Sequence, residues 1–143
     1  MSIKSIILLC LQFLSMGYLI SKFSIGTDLL INGIELMGIG IAVWGIVAGG
    51  LHKFNMQPEV KSDVLITNGP FALIRNPMYL GILLFFGAAI SQEPTMQNWL
   101  AYIILWITLL FKIRSEEHFL LLKFGEPYRA YKKRTFRLIP YIF

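Results

Sequence analysis

Apolar residues along this chain fall into four runs separated by short polar segments. Ile3 to Ser21 (IKSIILLCLQFLSMGYLIS) is nearly unbroken once Lys4 is placed at an interface. Leu29 to Leu51 is a second run, with Asp28 before it and His52–Lys53 after it. The third, Met78 to Ile90, is short unless its helix begins near Phe71 or tilts, and the fourth runs from Trp99 to Phe111. A helix crossing the hydrocarbon core needs about 20 predominantly apolar residues. The pattern therefore predicts an all-α membrane protein, one integral membrane domain over residues 1–143. Its four transmembrane helices cover about 3–21, 29–51, 72–91 and 98–113, and an amphipathic helical tail covers 114–143. A charged start before an apolar run is also how a secretory signal begins. No A-x-A-like cleavage site precedes Lys22 and Phe23, so the first run reads as an uncleaved span. The Ser91–Asn98 stretch, with Pro94, reads as the turn joining the last two spans.

Composition agrees with the pattern. Hydrophobic residues make up 56% and charged residues 15%, with mean hydropathy +0.65, against about 45–50% and about 25% in soluble domains. Together with a single cysteine, Cys10, these values exclude a soluble Rossmann enzyme, a disulfide-stapled secreted domain and a disordered chain. The net charge is +5, and from Lys112 onward eight basic residues face three acidic ones, so the whole excess lies in the C-terminal part that begins at Lys112. Basic residues favour cytoplasmic segments. With four spans, twelve of the thirteen fall on one side and Lys22 alone on the other, which places both termini in the cytoplasm.

Gly38, Ala42, Gly45 and Gly49 recur at helical spacing in the second span, as residues do where helices approach closely in lipid. Gly38-Ile39-Gly40 is no nucleotide loop, because no strand precedes it and Val43 stands where the third glycine would be. Asn32 and Glu35 lie in the outer third of this span. Ionisable residues inside spans are functional candidates, although Glu35, six residues past Leu29, can also reach the interface.

Two punctuated stretches belong to the cytoplasmic face. In Asp63–Gly81, Asn68-Gly69-Pro70 is a turn signal, and Pro77 suits the first turn of a helix while disfavouring helical geometry at Asn76. Free N–H groups at such a start can cradle an anion or carboxylate; a loop that simply caps a membrane helix has the same features. In Lys112–Pro140, Lys112 and Glu116 share one helix face, and Ile113, Leu120, Leu121 and Phe124 form an apolar stripe. Gly125 ends that helix and Glu126-Pro127 opens a shorter one. Arg129, Lys132, Lys133, Arg134 and Arg137, interleaved with Tyr128, Tyr131 and Phe136, form a basic patch suited to anionic head groups rather than nucleic acid. His52 and His118 are isolated and lack metal-ligand spacing, so no metal site is expected.

The sequence Arg-Asn-Pro-Met-Tyr-Leu-Gly (Arg75 to Gly81), then Glu116-Glu117 after one hairpin, then F-G-E-P-Y-x-x-Y-K-K-R and R-L-I-P, resembles the isoprenylcysteine carboxyl methyltransferase and phospholipid methyltransferase family. The likeness covers about Gln57 to Pro140. It implies an integral membrane enzyme that uses S-adenosylmethionine without a Rossmann domain. By resemblance, the cofactor site is built from Val64, Leu65 and Ile66, from Phe71 at an aromatic position, and from Asn76, Pro77, Met78 and Tyr79 as the H/N-P-x-Y loop. Gly81 follows as it does in the family, Glu116 matches the acidic residue that holds the cofactor, and Glu117 is assigned beside it. Members with prenylcysteine substrates carry Arg one turn before that Glu, to orient the substrate carboxylate. This chain has Lys112, which keeps the charge and loses the bidentate fork.

The resemblance implies methyl transfer to a lipophilic acceptor at the cytoplasmic interface, most like isoprenylcysteine carboxyl O-methylation. Phospholipid amines and thiols are the alternatives within the family. A carboxylate needs no general base, whereas an amine must lose a proton first, with Glu117 or His118 as acceptor. Two other classes compete: a non-catalytic membrane protein whose tail binds anionic lipid, and a nicotinamide-dependent membrane reductase of related fold. Residues that select the acceptor are expected on the first two spans.

Overall fold

A computed structural model describes residues 3–49 and 64–142. His52, Lys53, Lys61, Asp63 and the last two residues of the second apolar run lie outside them. Among the described residues the fold is all-helical: α1 (Ile3–Ser21), α2 (Leu29–Gly49), α3 (Pro77–Gln92), α4 (Met96–Phe124) and α5 (Glu126–Arg134), with a 3-10 turn at Gly69–Ala72. α1, α2 and α4 are long and apolar enough to cross a membrane, whereas α3 is apolar but shorter, at 16 residues.

Local chemistry sets the boundaries. The Asp28 carboxylate accepts from the Leu30 N–H (2.9 Å) and the Ile31 N–H (3.3 Å), capping α2. Pro77 occupies the first turn of α3, and Thr95 caps α4 by accepting from the Asn98 N–H at 3.2 Å. Gly125, at φ 58°, closes α4 with its N–H on the Leu121 carbonyl (2.9 Å), and Pro127 lies in the first turn of α5. Two expected boundaries move. Of the residues 72–76, placed within the third span by its outer bound, Ala72 ends the 3-10 turn and 73–76 are irregular, and α3 opens at Pro77, the residue whose backbone chemistry suits a helix start. The fourth helix does not stop at 113 but runs on to Phe124, so the tail begins as its continuation.

The helices associate as two pairs, α2 with α3 and α1 with α4, joined along α3 and α4. The α2–α3 seam uses the expected small residues. A Cβ at Gly38 would stand 2.7 Å from the Phe85 nitrogen, and one at Gly81 would stand 2.6 Å from the Ala42 nitrogen. Only glycine allows the two backbones this close. The core groups Leu19 of α1 with Tyr79, Leu83, Phe86 and Ile90 of α3, with Leu105, Leu109 and Ile113 of α4, and with Leu138. Outside it, Phe13, Leu14, Leu36, Trp44, Val47, Leu100, Ile107 and Phe111 are exposed. Apolar side chains on this scale facing outward mark a membrane protein, not a water-soluble one.

Candidate functional site

The start of α3, the second half of α4 and the segment after α5 meet in one place. Extended chain at Ile74 pairs in parallel with Phe136. The Arg75 N–H donates to the Phe136 carbonyl (2.8 Å) and the Phe136 N–H to the Leu73 carbonyl (2.9 Å). The Asn76 amide donates to the Arg137 carbonyl (3.0 Å), and the Tyr131 hydroxyl to the Phe71 carbonyl (2.7 Å). The C-terminal segment is thus a strap holding the approach to α3.

The two adjacent glutamates face different partners. Glu117 is 6% exposed and accepts from Arg75 Nε (2.9 Å) and Arg137 Nη2 (2.9 Å), with Lys132 Nζ at 3.5 Å. Arg75 also donates to the Lys132 and Thr135 carbonyls. One carboxylate therefore ties α4, the α3 approach and the strap together. Glu116, half-buried, accepts from the Tyr79 hydroxyl at 2.5 Å. Its second oxygen has no hydrogen-bond donor among the described residues. Lys112, one turn earlier, is buried, with its ammonium 5.6 Å from the centre of the Tyr79 ring and 3.0 Å from Gln12 Oε1 of α1. No described carboxylate forms an ion pair with it.

The residues singled out by sequence accordingly divide. Tyr79, Lys112 and Glu116 come together directly. Asn76 and Phe71 are bound to the strap through polar atoms, and the Phe71 ring lies where a Cβ on Gly49 would touch it at 3.6 Å. Pro77 is buried, and with Met78 it packs on Gly45, while Gly81 lies in the α2–α3 seam. Val64 is exposed, and Leu65 and Ile66 are half-buried, in the irregular chain ahead of the 3-10 turn. Glu117 is committed to three cations. His118 is exposed beside Phe119. Among the described residues no three His, Cys, Asp or Glu side chains gather as metal ligands do.

Sequence reasoning did not single out Gln12, Thr135 or the pairing of Phe136. A glutamine inside an apolar run was the one available signal for the first. Glu35, whose environment was open, is buried and accepts from Gln92 Nε2 (2.7 Å), and Gln92 also reaches Asn32 (3.3 Å). This polar group lies at the far end of α3 from Tyr79 and joins α2 to α3. On α5, burial pushes the Tyr131 phenol up to about 12, and burial with the Glu117 charge nearby pushes Tyr128 up further.

The sequence model described as phospholipid methyltransferase matches residues 29–127. The chain is 32% identical over 98 residues to a Dictyostelium discoideum protein named protein-S-isoprenylcysteine O-methyltransferase, a match covering 65% of this chain and 40% of that protein. It is 31% identical over 86 residues to the Schizosaccharomyces pombe protein of the same name (57% and 35% covered). To methanethiol S-methyltransferase 1 of Bradyrhizobium diazoefficiens it is 31% identical over 112 residues (78% and 35% covered). The matches thus span well under half the length of these curated relatives.

Proposed function

Because the chain belongs to the phospholipid methyltransferase family, we propose that it transfers a methyl group from S-adenosylmethionine to a lipophilic acceptor, most like isoprenylcysteine carboxyl O-methylation. The observation that carries this reading is the pair of Glu116 and Tyr79 at the mouth of α3, with Lys112 alongside. Glu116 has one oxygen oriented by Tyr79 and the other without a described donor. A carboxylate prepared in this way fits a ligand bearing hydroxyl or ammonium groups.

Bound there, S-adenosylmethionine would supply an electrophilic methyl on a sulfonium that leaves as a neutral thioether. The residues of the chain have the tasks of holding donor and acceptor in line and keeping water out. Glu116 and Tyr79 would hold the donor side, with Asn76 and Phe71 fixed by the strap and Val64, Leu65 and Ile66 contributing apolar and backbone contacts. Lys112 would face the acceptor. A carboxylate acceptor needs no base, and of the two candidate bases Glu117 is engaged by Arg75, Arg137 and Lys132 while His118 is exposed. An amine would need one of them to take its proton. The family's amine and thiol chemistries are the alternatives.

The proposed topology has four spans, α3 crossing as the short one, both termini cytoplasmic and the site on the cytoplasmic side. Exposed Lys133 and Arg134 on α5 suit anionic head groups. If that contact were the whole function, a tail binding lipid without catalysis, Glu116 and Tyr79 would be dispensable. Reconstituted protein given donor labelled in the methyl group tests the reading. Label should pass to an S-prenylcysteine carboxylate, and label in no lipid, thiol or carboxylate fraction would refute it.

A further inference from the structure

The two faces of α5 differ in kind. The inner face is bound to the rest of the molecule: Tyr128 and Tyr131 are buried, the Tyr131 hydroxyl donates to the Phe71 carbonyl (2.7 Å), and Lys132 Nζ lies 3.5 Å from Glu117. The outer face carries Arg129, Lys133 and Arg134, all exposed. Glu126 takes Arg129 at 2.7 Å, and among the described residues no carboxylate pairs with Lys133 or Arg134. Phe71, which α5 reaches through Tyr131, has its ring beside Gly49 at the end of α2. α5 therefore lies level with the point where that span leaves its exposed apolar belt, which runs to Val47. Exposed Leu122 precedes α5 in the chain, and exposed Tyr141 and Ile142 follow the strap. Cations with exposed apolar neighbours at this depth suit the charged surface of a membrane better than a soluble anion.

The chain itself couples this face to the site. α5 ends at Arg134, and the strap follows without a break. Thr135 takes Arg75, Phe136 pairs with Leu73 and Arg75, and the Arg137 carbonyl takes the Asn76 amide. With nine residues, α5 is shorter than helices that persist alone, about 12–15 residues. Arg129 and Lys133, four positions apart on it, repel each other. An anionic surface relieves that repulsion, and it meets all three outer cations together only while α5 is folded and docked. By linkage, lipid that favours docked α5 favours the strapped approach to α3, where Tyr79 holds Glu116.

We propose that the outer face of α5 is a docking surface for anionic membrane lipid, and that lipid bound there raises the affinity of the Glu116–Tyr79 site for its donor through the strap. The proposal rests on the methyltransferase reading and adds a regulation to it. Lipid charge then acts on the site without touching it, because Lys133 and Arg134 contact neither Glu116 nor Tyr79.

The test is S-adenosylhomocysteine binding to the full chain in nanodiscs of phosphatidylcholine, with and without about one third phosphatidylglycerol to make the surface negative. Phosphatidylglycerol should tighten binding about fivefold or more, the lower end of an allosteric coupling. It should also slow hydrogen exchange at the Arg75 and Phe136 amides. In about 1 M salt, where the screening length is about 3 Å, the gain should vanish. Lys133→Gln with Arg134→Gln should bind like the wild type in neutral nanodiscs and lose the gain, whereas Lys133→Arg with Arg134→Lys should keep it. Equal affinity in the two nanodiscs, or a gain intact in the double glutamine variant, would overturn the proposal. So would the same gain from soluble glycerophosphoglycerol in neutral nanodiscs, since a free anion would then suffice. Amides slowed by phosphatidylglycerol in a folded protein that binds no S-adenosylhomocysteine would instead overturn the methyltransferase reading and leave the contact of lipid with α5 standing.

Discussion

Replacing Glu117 by glutamine should unfasten the strap. The substitution keeps size and shape but removes the charge facing Arg75, Arg137 and Lys132. At 2.9 Å and an effective dielectric near 20, each arginine contact is worth about 5–6 kcal/mol before desolvation. Breaking a buried pair by removing one partner costs about 3–5 kcal/mol net. Arg137 and Lys132 are 23% and 36% exposed and regain water, whereas Arg75, at 9%, does not. Arg75 keeps its bonds to the Lys132 and Thr135 carbonyls, so the expected loss lies at the lower end, about 3 kcal/mol. Unfolding by sodium dodecyl sulfate titration in mixed micelles measures it. Hydrogen exchange at the Arg75 and Phe136 amides, which pair the strap to the α3 approach, should rise in the same variant. A loss under about 1 kcal/mol, the size of an ordinary surface change, with both amides still protected, would refute the account of the strap.

Further outcomes follow from packing and from the phenols. Gly81→Ala should destabilise by about 1–3 kcal/mol, because its Cβ meets the Ala42 backbone across the seam. Gly33→Ala, on open helix surface, should be neutral or stabilising by up to about 1 kcal/mol in the same titration. Tyr131 is held neutral above its ordinary value of 10.0, so its contribution to stability is complete below about pH 10 and is lost as pH rises toward about 12. An alkaline unfolding curve for Tyr131→Phe should lack that part of the decline. Tyr79→Phe should weaken donor binding by freeing Glu116, with the unfolding midpoint little changed.

Much of the fold was legible because membrane spans are written in long apolar runs. The bounds of α1 match the run Ile3–Ser21, and Pro77, Gly125 and Glu126-Pro127 mark helix ends by backbone chemistry that needs no tertiary context. The glycine pattern in α2 announced a close seam, and Gly81 proved to be its other side. What the run lengths concealed was that the fourth apolar run and the helix ended by Gly125 are one continuous α4, since a helix continues from apolar to polar residues without any local signal at the change. In the site, the adjacent glutamates look alike in sequence. Successive helix positions point about 100° apart, so Glu116 meets Tyr79 while Glu117 meets the arginines. The partners of Glu117 come from Arg75 and from the strap, and such long-range pairings leave no periodicity to read. Gln12 was hidden for the same reason: its partner lies a hundred positions away.

Calorimetric binding of S-adenosylhomocysteine to the detergent-purified protein, wild type beside Glu116→Gln, tests the central claim most directly. The account predicts saturable binding by the wild type and binding at least about tenfold weaker by the variant, the scale of one charge-assisted hydrogen bond, with the same unfolding midpoint. Equal affinity in the two proteins, or no binding by folded wild type, would contradict it.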